Sequence, residues 1–240
     1  GWHNARDGTS FSSDSTQAWV DMEMQKLEAI RAHAGRDFIV CLDGHMSNVE
    51  QGMTTWDVGT ATAELKALEP FDLFFFEEPL HYRNLDGYAE LCRQTSIPVA
   101  GGECLSTLGE FGQYAQAEAF DIAQPDASFL GMGPFLEVAA LFAARQKRIA
   151  THAWSSGAGV MENIHAAFAS PNTCILELPP LAGPLHTEVY AEGYRFRDGY
   201  VLPPQTPGLG VRLSDEVKRK YPFVPGSGEW NPVPGKTELL

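Results

Sequence analysis

"FDLFFFEEPL", residues 71–80, runs three phenylalanines into two adjacent carboxylates and a proline. An unpaired charge is costly to bury. A chain that sets Glu77 and Glu78 on the end of so apolar a segment therefore either leaves them in water at a strand terminus or supplies a counter-charge. Working outward, the same kind of segment recurs on both sides: "FIVCLD" (38–43), "LFFFEE" (73–78), "IPVAGGE" (97–103), "FDIAQPD" (120–126), "RIATH" (148–152) and "CILE" (174–177). Their apolar content is continuous rather than alternating, which predicts strands buried on both faces, as in a parallel sheet.

Helical patterns fill the intervals. Ser15 and Thr16 suit the start of a helix whose apolar face reads Val20, Met24, Leu27, Ile30 and Ala34, and Gly35 suits its end. Pro134 fits the first turn of a helix carrying Leu136, Ala139, Ala140 and Ala143. Shorter helices are expected over 58–68, 84–94, 108–117 and 157–169. Strand alternating with helix in this way predicts right-handed βαβ units on a parallel sheet. The fold class is therefore α/β, and a TIM-type (β/α) barrel with about six of its strands present is expected. After Glu177 the alternation stops. "PPLAGPLH" (179–186) and "DGYVLPPQTPGLGV" (198–211) are rich in Pro and Gly, and "YPFVPGSGEWNPVPG" (221–235) reads as extended chain lying over another surface. Two regions follow: 1–178 as the barrel domain, with its first strands missing, and 179–240 as a C-terminal segment that completes the barrel and packs toward a capping region.

Composition excludes several classes of function. The 240 residues carry a formal charge of −14, which disfavours nucleic acid and anionic membrane as partners. No apolar stretch is long enough to span a bilayer, and no signal-peptide pattern stands at the start. Cys41, Cys92, Cys104 and Cys174 are scattered without C-x-x-C spacing, so reduced thiols and a cytoplasmic setting are expected.

All six apolar runs finish on an ionisable residue: Asp43, Glu77, Glu103, Asp126, His152 and Glu177. In a parallel barrel such residues converge on one mouth, where active sites are assembled from several strands. Asp43, Glu77 and Glu103, on three consecutive strands, would make an all-oxygen site suited to a hard cation such as Mg2+. Asp126 and His152, on the next two, could pair so that the carboxylate fixes the imidazole tautomer and raises its basicity, which prepares a general base. A hydrogen-bonded pair of purely structural purpose is the competing reading, and for Glu177 it is a simple strand exit.

"FFFEEP", "AGGE", "AQPDAS" and "ATH", in this order, resemble the barrel domain of the enolase superfamily and, within it, the mandelate racemase-like subgroup. The intervals agree with that resemblance: 26 residues from Glu77 to Glu103, 23 from Glu103 to Asp126 and 26 from Asp126 to His152. "DGYVLPPQTPGLGV" resembles the family's closing segment. The resemblance implies magnesium on Asp43, Glu77 and Glu103, His152 with Asp126 as a base dyad, and Glu177 as a hydrogen-bonding electrophile. It implies abstraction of the proton α to a carboxylate, the charge collecting as an enediolate. Glu78 should then point away from the ion into supporting contacts, because side chains alternate along a strand.

The resemblance also implies a K-x-K acid/base pair at the end of the second barrel strand. Gly1 and Trp2 would fall just after it, so that lysine, the first two strands and the capping domain are expected outside this sequence. The 34-residue interval from Asp43 to Glu77 holds a long loop, "GHMSNVEQGMTTW". In it His45 is similar to the Asp-x-His arrangement of some sugar-acid dehydratases, where the histidine protonates a leaving hydroxyl; a solvated loop histidine is the simpler reading. His33 and His165 fall in expected helices, His3, His81 and His186 in loops, and Trp154 could wall the pocket.

The expected activity is dehydration of a sugar acid of aldonate or aldarate type, on a small-molecule carboxylate substrate, by a homo-oligomer. Racemisation, epimerisation or cycloisomerisation of a related carboxylate is the alternative within the enzyme class, and a non-catalytic fragment the alternative outside it.

Overall fold

The computed structural model describes residues 13–47, 55–155, 157–179, 184–191 and 193–222, with the backbone alone at 13–17. His3, residues 48–54 of the loop after Asp43 and the tail from 223 onward lie outside the described residues. Six parallel strands stand in sequence order: β1 Cys41–Asp43, β2 Phe75–Glu77, β3 Val99–Gly101, β4 Ile122–Ala123, β5 Arg148–Thr151 and β6 Thr173–Leu176. Helices alternate with them: α1 Ser13–Ala34, α2 Val58–Leu68, α3 Leu85–Gln94, α4 Leu108–Ala117, α5 Ala127–Leu130, α6 Met132–Ala143 and α7 Ala158–Ala169. This is the expected (β/α) barrel architecture, with helices on the outside of a curled parallel sheet.

The helices between the strands begin and end where local chemistry directs. Asp57 caps α2 by accepting the Thr60 N–H, and Asn84 caps α3 by accepting that of Gly87. Thr107 and Glu110 form a reciprocal capping box at the start of α4. Gly35 ends α1 with a positive φ of 81° and bonds back to the Arg31 carbonyl, as its position after the apolar face predicts. The start of α1 differs: Ser15 and Thr16 lie inside its first turn, not at its cap. Ser and Thr are tolerated there because first-turn N–H groups have no intrahelical partner anyway.

The strands are shorter than the apolar runs that encode them, since ladder pairing stops where the backbone changes course. Pro125 cannot donate to a neighbour and ends β4 before Asp126, while Gly102, at φ 118°, turns the chain before Glu103. Packing fills both faces. Phe75, Ala100, Ile122 and Ala150, with Cys41 and Cys174 against them, form the interior cluster, whereas Phe76, Val99, Ala123 and Ile149 join the larger core beneath the helices. The sheet is curled enough that Cys41 on the first strand feels Cys174 on the last; burial chiefly, then Glu77, pushes the Cys41 thiol up to about 12.

The C-terminal region is more ordered than an extended segment. It carries α8 Leu185–Glu188, an antiparallel hairpin of β7 Arg195–Arg197 and β8 Tyr200–Leu202, and α9 Asp215–Lys220. The hairpin turn is Asp198-Gly199, both at positive φ, a turn signal masked in the sequence by the surrounding prolines. Tyr190, Tyr194, Val201, Leu209 and Val211 pack on Val160, Met161 and Ile164 of α7, which ties this region to the barrel. Among the described residues no helix is long and apolar enough to cross a membrane.

Candidate active site

Side-chain alternation builds the site from the interior cluster. Asp43 stands two residues beyond Cys41, Glu77 two beyond Phe75, Gln124 two beyond Ile122 and His152 two beyond Ala150, so each continues an inward-facing row to the C-terminal mouth of the barrel. Asp43 and Glu77 are direct partners in the β1–β2 register. Glu103 reaches the same mouth from the turn after β3. That turn requires glycine: a Cβ on Gly102 would lie 2.8 Å from the Phe111 ring, at a φ that L side chains rarely adopt.

Three carboxylates at one mouth, Glu103 buried and Asp43 and Glu77 half-buried, repel each other and resist ionisation. Burial, then the neighbouring Asp43 charge, holds Glu77 well above the usual carboxylate range, with a hydrogen bond from Gln124 opposing the shift. Asp43 and Glu103 are raised mainly by burial, the nearby His45 and His152 opposing it. An oxygen-only donor set of this charge, on three neighbouring strand ends, fits a hard divalent cation, which relieves the repulsion and favours the ionised forms. Among the described residues the set whose ligand atoms all lie within 4.8 Å of one another is Glu78, Glu103 and Cys104, so Asp43, Glu77 and Glu103 stand more openly than that set.

Glu78 does not follow strand alternation. It has left the strand, at φ 41°, and its fully buried carboxylate accepts the Ser47 N–H at 3.3 Å while standing beside Glu103. Burial and the Glu103 charge push it up to about 9. The expectation that Glu78 points away from the ligand set therefore fails at the backbone, because the alternation rule holds only while φ stays extended.

His45 is brought to the site by a turn, not by a continued strand. Its N–H bonds back to Asp43 Oδ1 at 2.8 Å, its φ is 49°, and its Nε2 lies 3.7 Å from Glu103 Oε1. The reading of a solvated loop histidine does not describe this position.

Across the mouth, His152 Nδ1 is 2.8 Å from Asp126 Oδ2, and its Nε2 lies 3.9 Å from Glu103 Oε2. Burial alone would lower the imidazole, but the bond to Asp126 and the Glu103 and Glu177 charges outweigh it and hold His152 above its ordinary value. Burial would likewise raise Asp126, yet the donors His152, Ser128 and Asn163 hold it below. Glu177 accepts the Ala153 N–H at 2.5 Å, so one of its oxygens braces the loop after β5. Trp154 follows in that loop, 55% exposed, and the Phe129 ring centroid is 6.0 Å from that of His152. His81 stacks on Tyr82, and His33 and His165 sit on α1 and α7.

Three polar residues escaped the sequence reading: Gln124, Ser128 and Asn163. The signal for Asn163 was present, since it falls among Val160, Ile164 and Ala167 on the apolar side of a helix, where a polar residue needs a partner. Gln124 stands on the inward row of β4 in the same way.

Comparison with known proteins agrees with this geometry. The profile of the family described as Enolase C-terminal domain-like matches residues 7–217. A 3,6-anhydro-alpha-L-galactonate cycloisomerase of Streptomyces coelicolor is 32% identical over 196 residues, 81% of this chain and 50% of that protein. An L-talarate/galactarate dehydratase of Salmonella typhimurium is 30% identical over 199 residues, 82% of this chain and 46% of that protein. The crystal structure of an L-talarate dehydratase from Polaromonas sp. JS666, complexed with Mg and L-glucarate, superposes with a TM-score of 0.70 at 30% identity, covering 83% of this chain and 51% of that one. The chain thus spans about half the length of the curated relatives it matches.

Proposed function

The chain belongs to the Enolase C-terminal domain-like family, and on that premise we propose that it carries the proton-abstracting half of a magnesium-dependent sugar-acid dehydratase. The supporting observation is the facing arrangement of His152, bonded to Asp126 at 2.8 Å, and the carboxylates Asp43, Glu77 and Glu103 across one barrel mouth. Asp43, Glu77 and Glu103 would hold the ion. When bound, magnesium supplies a positive charge against which the substrate carboxylate is held and its developing negative charge is stabilised.

The side chains themselves do the rest. Asp126 orients His152 so that its Nε2 faces the mouth and takes the proton from the carbon α to the carboxylate. Glu177, whose brace on Ala153 fixes its orientation, stands beside the site as a hydrogen-bonding group. His45, 3.7 Å from Glu103 Oε1 while His152 approaches Oε2, protonates the departing hydroxyl, which completes loss of water. The named dehydratase relatives support the substrate class. A cycloisomerase among the relatives supports a second reading, in which the same proton abstraction ends in ring opening or closure.

The test is a panel of aldonates and aldarates offered to the intact protein with magnesium, scored for loss of water and for solvent deuterium at the α-carbon. Dehydration is expected, with His152→Asn abolishing exchange and leaving magnesium affinity unchanged. Turnover that persists in His152→Asn would remove the histidine from its role, and exchange without water loss would favour the second reading.

A further inference from the structure

Asp126 has two carboxylate oxygens, and only one can serve His152. The torsion that turns a carboxylate about its Cβ–Cγ bond is broad, so something other than the dyad must decide which oxygen faces the ring. The structure occupies Oδ1 with three donors: the Ser128 N–H at 2.7 Å, the Ser128 hydroxyl at 2.6 Å and Asn163 Nδ2 at 2.8 Å. Oδ2 is left to His152 Nδ1. The donors come from both sides of the loop, Ser128 from the first turn of α5 and Asn163 from the middle of α7.

The amide of Asn163 is itself oriented. Its Oδ1 accepts the Ala127 N–H at 2.9 Å, and its Nδ2 donates a second bond to the Gly159 carbonyl at 3.0 Å. Flipping the amide would set its NH2 against the Ala127 N–H and its oxygen against both the Asp126 carboxylate and the Gly159 carbonyl, so the network admits one orientation. Asn163 is fully buried, where each lost bond leaves a partner unsatisfied.

We propose that Asn163, together with Ser128, is a positioning residue for the dyad: it saturates one oxygen of Asp126 so that the other accepts from His152, which places the ring proton on Nδ1 and leaves the Nε2 lone pair facing the barrel mouth. A carboxylate held only by the imidazole could pivot, and the ring could then exchange tautomers. With three fixed donors on Oδ1, pivoting breaks all of them at once. The catalytic consequence rests on the reading of His152 as the base, but the geometric claim does not.

The experiment uses the intact protein labelled with nitrogen-15 histidine, at a pH where the ring is neutral. The unsubstituted protein should show His152 protonated at Nδ1. Asn163→Leu should convert this signature to a mixture of tautomers. The kcat for α-proton exchange should fall about tenfold to a hundredfold, in line with residues that orient a reacting histidine, while KM stays within about twofold. Ser128 is exposed, so Ser128→Ala keeps the fold should Asn163→Leu not, and it should move the same signature in the same direction. A tautomer signature unchanged in both variants would overturn the proposal, as would a fall in kcat without any change of tautomer, since packing alone explains that. If the signature moves as expected while the unsubstituted protein exchanges no α-proton from any acid offered, the positioning role stands and the base assignment falls.

Discussion

Replacing Gln124 with leucine separates the support of the proposed metal ligand Glu77 from the stability of the fold. Gln124 is 4% exposed, its side chain is the polar neighbour that opposes the upward shift of Glu77, and its Oε1 has no partner among the described residues. Two opposing effects follow from its removal. Without magnesium Glu77 holds its proton, so the amide's contact with it contributes only about 0.5–1.5 kcal/mol, whereas the unpartnered carbonyl imposes a cost of about 1–3 kcal/mol that leucine abolishes. Leucine also matches the apolar interior of Ile122 and Ala150 one layer below. For the protein without magnesium these effects nearly cancel, so stability should change by less than about 1 kcal/mol. Magnesium affinity has no such compensation. Glu77 already resists ionisation because of burial beside Asp43, and losing a donor worth about 1 kcal/mol more to the ionised than to the protonated carboxyl raises the cost of ionising it further, which corresponds to roughly fivefold weaker binding near neutral pH. The weakening should shrink as pH rises, because the penalty is that of removing a proton. Titration calorimetry with magnesium and thermal unfolding without it are the two measurements. Unchanged magnesium affinity in Gln124→Leu would refute the assignment of Glu77 as a supported ligand. A metal-free loss of several kcal/mol would refute the cancellation.

Three further outcomes are expected. Glu64, buried on α2 with Oε2 unpartnered among the described residues, is pushed up to about 7 by burial and by Asp21. Its native form holds a proton that the unfolded chain releases, so stability falls as pH rises from about 4.5 to about 7. Glu64→Gln should recover about 2 kcal/mol at pH 8 and almost nothing at pH 4, and equal gains in urea unfolding at both would contradict this. Arg31 donates to the carbonyls of Phe71, Phe38 and Asp72 at 2.6–2.8 Å, binding the end of α1 to the chain entering both β1 and β2. Arg31→Met should cost about 2–3 kcal/mol at unchanged m-value; a loss under about 0.5 kcal/mol would mean that water replaces the guanidinium. His45→Gln should slow water loss at least tenfold while leaving α-deuterium exchange near its original rate, and parallel loss of both would deny the histidine a separate role in leaving-group protonation.

How much of this molecule is legible in its sequence depends on the range of the interaction that fixes each part. Helix limits at Asp57, Asn84 and Thr107 are local: a capping side chain and the N–H it accepts lie within three residues, so the expected spans 58–68 and 108–117 coincide with α2 and α4. The strand runs are legible as burial on two faces, but their paired lengths are not, because pairing ends where Gly102 and Pro125 redirect the backbone. The hairpin at 195–202 was missed because its composition is that of a loop, and pairing of Arg195 with Leu202 is not a hydrophobic pattern. Short, exposed strands leave no periodic signature.

The site divides along the same line. Asp43, Glu77 and His152 are legible because each follows an interior strand residue by two positions, a relation the sequence carries. Glu78 is not, since it sits at positive φ where alternation no longer holds, and His45 is legible only by its spacing from Asp43, because a turn and not a strand brings it there. Gln124 and Asn163 are hidden for a different reason: their partners, Glu77 and Asp126, are 47 and 37 residues away and become neighbours only when the sheet curls and α7 packs on it. What both share is a polar group on a side that the pattern marks as apolar. Such a residue either destabilises the chain or has a partner there, and at a barrel mouth crowded with carboxylates the partner available to a buried amide is an acid. The charged residues could be read from one strand end at a time. The amides that hold them in place follow only from asking what each buried polar side chain is bonded to.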